Sequence, residues 1–208
     1  PKVVFYVVYL GNDLRNEAYP AFEAYKAEHH EEGANCPSPP STPSLLVNRL
    51  IQFANMYLRK PQSRIICAMD ELWPYLDNSL PPVQEGYKAI ASSLKLLKDQ
   101  VRSQGASLIV GIIEPFPVPY GENVFRENLQ YSFPDTKEMD FNLHAPSATL
   151  GAILDELELS YVNFSEGFAK DTRQDHYLTS DLHLSATGHR SVSQQILDRF
   201  GESFQKAM

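Results

Sequence analysis

Three short apolar runs, separated by helical patterns, restrict the possible folds of this chain more than any other feature. The runs cover 3–10, 106–113 and 160–164, and each is rich in β-branched and aromatic residues. The first shows no polar–apolar alternation, so we expect a strand that is buried on both faces, as in a parallel sheet. The order strand, helix, strand, helix, strand, helix predicts an α/β domain with a parallel sheet.

The helices are predicted from apolar residues that recur at helical spacing. Gly105 is expected to end the second of them, and Ser147 and Ser185 are expected to cap the third and the last. The apolar faces fall in the ranges 46–57, 90–101, 150–157 and 192–200.

Two segments lack such periodicity. Residues 14–43 are polar and close on a proline-rich run, so we predict a long loop or lid there, because proline suppresses both helix and strand. Residues 116–145 show no strong pattern, and prolines interrupt the chain at 74, 81 and 82. The run 64–70 is apolar but too short to assign. We interpret residues 1–208 as a single domain.

Composition excludes several classes of function. The 208 residues are 43% hydrophobic and 21% charged, which is typical of a globular protein. Eighteen basic and 26 acidic residues leave a net charge of -8, which argues against nucleic acid as a partner. No apolar run approaches the roughly 20 residues that a membrane span needs. The two cysteines give no disulfide framework, and the compartment stays undetermined.

The N-terminus gives a further expectation. The chain starts with Pro1 and enters the apolar run 3–10 almost at once, without a charged leader or a cleavage site. Because a domain rarely opens on a buried strand, we expect further sequence upstream.

Candidate site residues follow the predicted strands, because ligands of open parallel sheets bind at the carboxyl ends of the strands. Asn12 and Asp13 follow the first run, Glu114 follows the second, and Asp181-Leu182-His183 comes after the third. In an extended segment, residues i and i+2 point to the same side, so the Asp181 carboxylate can reach the His183 ring. A carboxylate on one ring nitrogen supports the imidazolium that forms when the other nitrogen takes a proton.

Two blocks carry a family resemblance. The block YLTSDLHLSATGHRSVSQQI resembles the last motif of the SGNH hydrolases, the GDSL-type esterase and lipase superfamily. The block YLGNDLRN resembles the third motif of the same superfamily, in which an Asn follows a buried strand. Both blocks stand in the order that the family has, with a helix and a strand between them.

The resemblance implies a fold and a mechanism. The fold would be a three-layer, flavodoxin-like α/β/α domain. Asn12 would be an oxyanion donor, His183 the general base and Asp181 the residue that orients it, with no metal and no organic cofactor. The substrate would be a small-molecule or carbohydrate ester, with carbohydrate O-acetyl and short acyl esters as the classes implied.

The chain departs from the family pattern at its start. The nucleophilic Ser of a GDS-like block and the Gly that follows in the second block do not occur in these 208 residues, and Leu10 replaces the first Gly of the usual G-x-N-D signature. We therefore expect the first strands, with the Ser, to lie outside this chain, and the chain alone to be inactive. The alternatives are a non-catalytic carbohydrate-binding module on the same scaffold and an O-acyltransferase.

Several other residues have simpler interpretations. Asp13 is expected to stabilise a turn, His189 to pack or hydrogen-bond, and the neighbouring Asp175 and His176 to diverge. Ser165 lacks a G-x-S-x-G context and is interpreted as a loop residue. Trp73 and Tyr75 suit either a cleft or the core. The segment 29–36 has metal-capable side chains (His29, His30, Glu31, Glu32 and Cys36) but no ligand spacing, so we expect a solvated loop.

The missing strands have one further consequence. Without a neighbouring strand, 3–10 becomes a long uncharged sheet edge, of the kind that natural proteins avoid. We therefore expect the isolated chain to self-associate through this edge.

Overall fold

The sheet and its helices follow the predicted alternating order. The computed structural model describes residues 2–28, 72–132, 140–170, 175–178 and 183–206. A short 3-10 helix covers Val118–Tyr120. The other elements, in chain order, are β1 (Lys2–Tyr9), α1 (Asp13–Glu17), α2 (Tyr19–Glu28), α3 (Trp73–Leu76), α4 (Pro81–Ser103), β2 (Ala106–Ile113), α5 (Glu122–Ser132), α6 (Ala145–Glu156), β3 (Ser160–Asn163), α7 (Ser165–Phe168) and α8 (Ala186–Lys206).

The three strands form a parallel sheet in the order β1-β2-β3. β1 pairs with β2 from Lys2 opposite Ala106 to Tyr9 opposite Ile113. β2 pairs with β3 over four residues, as far as Ile112 opposite Asn163. The predicted α/β class with a parallel sheet is therefore confirmed.

Alternate residues of β2 point into two separate apolar clusters. Leu108, Val110 and Ile112 pack against α4 and α6 on one face. Ile109 and Ile113 pack against α8 on the other. Helices thus cover both faces of the central strand, because successive side chains of a strand point in opposite directions.

β1 is less buried than its sequence indicates. Val4, Tyr6 and Val7 are 37–40% exposed, although Val8 and Leu10 are buried. The prediction that the whole run is buried on both faces is therefore wrong for Val4, Tyr6 and Val7. The physical reason is position: within the described part of the chain, β1 is an edge strand with β2 as its neighbour. Self-association through this edge stays a prediction.

The loop predicted over 14–43 is wrong for its first part, because residues 14–28 lie in α1 and α2. Long-range contacts stabilise these helices: Leu14 is buried in the cluster beneath α4, and the Phe22 ring stacks on Trp73 with centroids 5.2 Å apart. Trp73 and Tyr75 accordingly belong to the core. Residues 29–43, including the metal-capable segment, lie outside the described residues, as do the predicted helix at 46–57 and the run 64–70.

The observed helix ends match the caps predicted from the sequence only in part. Gly105 follows α4 with a φ of 68°, and the Ser185 hydroxyl accepts the N–H groups of Thr187 and Gly188, so both predicted caps are confirmed. The cap predicted at Ser147 is wrong, because α6 starts at Ala145. Prolines at 74, 81 and 82 stand in the first turns of α3 and α4, where a missing N–H costs nothing. No helix in the described ranges is both long enough and apolar enough to span a membrane.

Gly86 allows a close approach between α4 and α1, which gives a test of the packing. A Cβ at this position would lie 2.6 Å from the backbone oxygen of Leu14. We expect Gly86→Ala to lower the free energy of unfolding by about 1–3 kcal/mol through overpacking. Gly201→Ala in α8 is the control: nothing lies within 4 Å of its Cβ, so it should stabilise the helix by about 0.5–1 kcal/mol. Urea midpoints would show this, and stabilisation by Gly86→Ala would contradict it.

Candidate functional site

Polar residues follow each of the three strands at one edge of the sheet. Asn12 comes after β1, Glu114 directly after β2, and Asn163 ends β3. Since the strands are parallel, their carboxyl ends lie side by side. This edge is where open α/β sheets bind ligands.

The turn after β1 is fixed by Asp13 rather than by Asn12. The Asp13 carboxylate accepts the backbone N–H of Tyr9 at 2.8 Å, so its predicted structural role is confirmed. Burial raises the pKa of Asp13 and Glu17 adds to this, although the Tyr9 N–H opposes it. The ring of Tyr9 fills the space beside Gly11, where a Cβ would lie 2.4 Å from a ring carbon. A larger residue at position 11 would therefore displace this ring.

Asn12 precedes α1 but does not cap it. An Asn in this position usually accepts an N–H of the first helical turn through its side chain. Here the half-buried Asn12 side chain makes no capping hydrogen bond. A cap would use the Asn12 side-chain oxygen, whereas an oxyanion would be bound by the separate N–H donors of the same amide.

His183 lies on a short antiparallel bridge that leads into α8. Leu178 donates its N–H to the His183 carbonyl at 2.7 Å, and Ser185 donates to the His176 carbonyl at 2.8 Å. Tyr177 and Leu184 are the bridge partners. The His183 side chain is exposed.

Tyr177 anchors this bridge at the carboxyl edge of the sheet. Its buried hydroxyl donates to the backbone oxygen of Glu114 at 2.6 Å. The Tyr177 ring also contacts Phe116 and Phe168 at centroid distances of 5.9 and 5.7 Å. The bridge beside His183 is therefore attached to the end of β2, and Asn12 follows the neighbouring strand β1. Asp181 lies outside the described residues, so its pairing with His183 stays a prediction.

The alternative Asp–His pair has a different role. Asp175 is exposed while His176 is fully buried, so the two side chains diverge as expected. The His176 ring stacks on Phe168 at 4.4 Å, and its Nδ1 lies 3.1 Å from the Tyr120 hydroxyl. His176 is therefore a core residue. His189, expected to pack or hydrogen-bond, has an exposed side chain in the first turn of α8.

A cavity of about 550 Å³ opens between the ends of β2 and β3 and the segment before α6. We refer to it as the Glu114 cavity. Val118, Pro119, Phe141 and Leu143 give it apolar walls. Its polar lining comprises Glu114, Tyr120, Asn142, His144, Ser147, Asn163, Ser165 and Glu166, with Glu122 at the same cavity.

Glu114 is the most unusual residue of this cavity. It is only 5% exposed, and its Oε1 makes no hydrogen bond with the described residues. Burial raises the pKa of Glu114 and nearby Glu166 adds to this, while the Ser165 and Ser147 hydroxyls and His144 lower it. The sequence indicated Glu114 only as a residue that follows a strand, and its enclosure was not predicted.

Two further buried hydroxyls lie close to this carboxylate. Ser165 is 5% exposed, and its Oγ has no hydrogen-bond partner in the described ranges. The Tyr75 hydroxyl is likewise buried without a partner among those residues. Burial, with the charge of Glu114 second, raises the pKa of Tyr75 well above its ordinary value. Three neighbouring polar groups therefore retain unused hydrogen-bonding capacity.

Ser165 does not have the surroundings of a nucleophile. The Asn163 side-chain oxygen accepts its backbone N–H at 3.0 Å, which forms a turn into α7. No imidazole hydrogen-bonds to the Ser165 hydroxyl within the described ranges.

Comparisons with protein-family models, with curated proteins and with solved structures find no match to this chain. The site must therefore be interpreted from its own residues.

The raised pKa of Glu114 predicts a dependence of stability on pH. Because the folded state binds this proton more tightly than the unfolded state, ionisation destabilises the fold as pH rises above about 4, the ordinary pKa of a glutamate. Relative to Glu114→Gln, the unaltered protein should lose stability over this range. The exposed Glu156→Gln, on the last turn of α6, should follow the unaltered protein. Denaturant titrations at several pH values would measure this, and parallel curves for Glu114→Gln and the unaltered protein would contradict it.

Proposed function

We propose that this chain forms the base and oxyanion part of an SGNH-type ester hydrolase. His183 is the general base, Asp181 orients its ring, and Asn12 donates its side-chain amide to the oxyanion. Because no GDS-like block occurs among the 208 residues, the nucleophilic serine is proposed to be supplied from outside them. The finer fold assignment, a flavodoxin-like sheet, is part of the same proposal.

The position of the half-buried Asn12, just after β1 at the carboxyl edge of the sheet, is the observation that carries this proposal. A neutral amide at the carboxyl end of a parallel strand can stabilise negative charge on a carbonyl oxygen without itself titrating. A second support is that His183 is exposed and flanks the bridge whose Tyr177 hydroxyl bonds the residue after β2.

The chemistry follows from these positions. A serine hydroxyl attacks the acyl carbonyl while His183 takes its proton and Asp181 stabilises the imidazolium. The negative charge that develops on the carbonyl oxygen is held by the Asn12 amide and by backbone N–H groups. His183 then returns the proton to the leaving alcohol, and water releases the acid from the acyl-enzyme in a second, equivalent step. Carbohydrate O-acetyl and short acyl esters are the proposed substrates.

The role of His183 can be tested with p-nitrophenyl acetate in a protein that joins this chain to the segment proposed to supply the serine, which we call the full-length protein. We expect His183→Ala to lower kcat by at least about 10³-fold, because the serine loses its base. His189→Ala, an exposed histidine six residues further on, is the matched control and should keep full activity. The 208-residue chain by itself should not exceed the background rate. Full activity in His183→Ala would refute the proposed base, and an inactive full-length protein would favour the binding module.

The role of Asn12 predicts a separate kinetic signature. Asn12→Ala should lower kcat by about 10²–10³-fold and leave KM nearly unchanged, because the donor acts in the transition state. Asn16→Ala is the control, since Asn16 is exposed on α1. A large rise in KM with kcat intact would instead make Asn12 a substrate-binding residue.

A further inference from the structure

The Glu114 cavity has the features of a ligand site that the proposed ester chemistry does not use. It lies between the ends of β2 and β3, whereas Asn12 follows β1. Its volume of about 550 Å³ falls within the range of small-molecule sites, about 300–1,000 Å³. It combines apolar walls with converging polar side chains, and both are features of such sites.

Two buried polar groups at its wall have unused hydrogen-bonding capacity. Glu114 and Ser165 are each 5% exposed, and Glu114 Oε1 and Ser165 Oγ have no hydrogen-bond partner among the described residues. Leaving such groups unsatisfied is costly in a folded protein, so their retention needs an explanation. Rotation about the terminal torsion of a glutamate is nearly free, so either carboxylate oxygen can turn towards the cavity.

The charged residues around the cavity indicate the sign of the charge that its ligand would carry. Glu114 and Glu166 line it, and Glu122 is already paired with Arg126 at 2.8 Å. No lysine or arginine is among the described lining residues, and His144 is the one described lining side chain that can carry positive charge. Because the carboxylates outnumber it, an anion would be repelled and a cation would supply further counter-charge to the buried Glu114.

An ammonium group matches the available partners in number and kind. It carries three donors and no acceptor. The Glu114 carboxylate and the Ser165 and Ser147 hydroxyls all line the cavity, and all three can accept a hydrogen bond. Tyr120 and Phe141 also line the cavity, and aromatic faces attract organic cations.

We propose that the Glu114 cavity binds a small organic molecule that carries a protonated amine, with Glu114 as its counter-charge and the Ser165 and Ser147 hydroxyls as further acceptors. This site is independent of ester hydrolysis, because neither Asn12 nor His183 lines the cavity.

Benzylamine and benzyl alcohol form a matched pair of probes, since they share the aromatic ring and differ in the charged group. Binding to the folded 208-residue chain at pH 7 would be measured by calorimetry and by NMR shift changes. We expect benzylamine to bind at least about tenfold more tightly than benzyl alcohol, because hydrogen bonds to a charged group are the stronger ones. Equal affinity for both probes would overturn the ammonium assignment, and binding of neither would overturn the site.

Variants test whether binding occurs at this cavity. Glu114→Gln should weaken benzylamine binding at least about tenfold and leave benzyl alcohol unaffected. Ser165→Ala removes a hydroxyl that has no partner in the described structure, so the variant protein should fold normally. Its affinity for benzylamine should nevertheless be lower. Glu156→Gln is the control, because Glu156 is exposed and does not line the cavity, and this variant should bind benzylamine as the unaltered protein does. Unchanged amine affinity in Ser165→Ala and Glu114→Gln would overturn the proposal.

Discussion

The parallel pairing of β1 with β2 is the interaction on which the rest of the structure depends. Eight consecutive residue pairs fix the two strands in register, and the Leu10 N–H extends the ladder to the Ile113 carbonyl. This pairing joins segments that are about a hundred residues apart in the chain. It places the turn after β1 and the residue after β2 at one edge, where the candidate residues lie.

The same ladder explains why polar groups accumulate at the edge without disrupting the core. The clusters on the two faces of the sheet are apolar, and Glu114 is the first residue beyond β2. Its backbone oxygen accepts the Tyr177 hydroxyl, which attaches the segment before α8 to the strand end. One short hydrogen bond thus links the sheet to the bridge that carries His183.

The burial of Glu114 lowers the stability of the folded protein. A carboxylate that is 5% exposed and lacks a hydrogen bond on Oε1 destabilises the folded state when it ionises. Natural proteins keep such groups mainly where they bind or react, because the penalty is recovered when a ligand is present. The two proposals therefore concern neighbouring parts of one edge: an ester site at Asn12 and His183, and a cation site at Glu114.

Much of the framework could be predicted from the sequence, because it depends on local patterns. Short runs rich in β-branched and aromatic residues identified the three strands of the described structure, and apolar spacing identified the cores of α4, α6 and α8. Asn12 and Glu114 could be selected as positions because they directly follow those runs. The Ser185 cap was likewise visible in the sequence, since a capping hydroxyl acts within three residues.

The sequence by itself thus determined the α/β order, the parallel sheet and the residues that end its strands. Tertiary structure alone decided the helices over 14–28, since they depend on contacts such as that of Phe22 with Trp73. Tertiary structure also decided the exposure of β1, because the sequence pattern of a strand does not show how many neighbouring strands it pairs with. The Glu114 cavity was beyond prediction for the same reason: burial and pKa depend on distances between segments that are far apart in the chain.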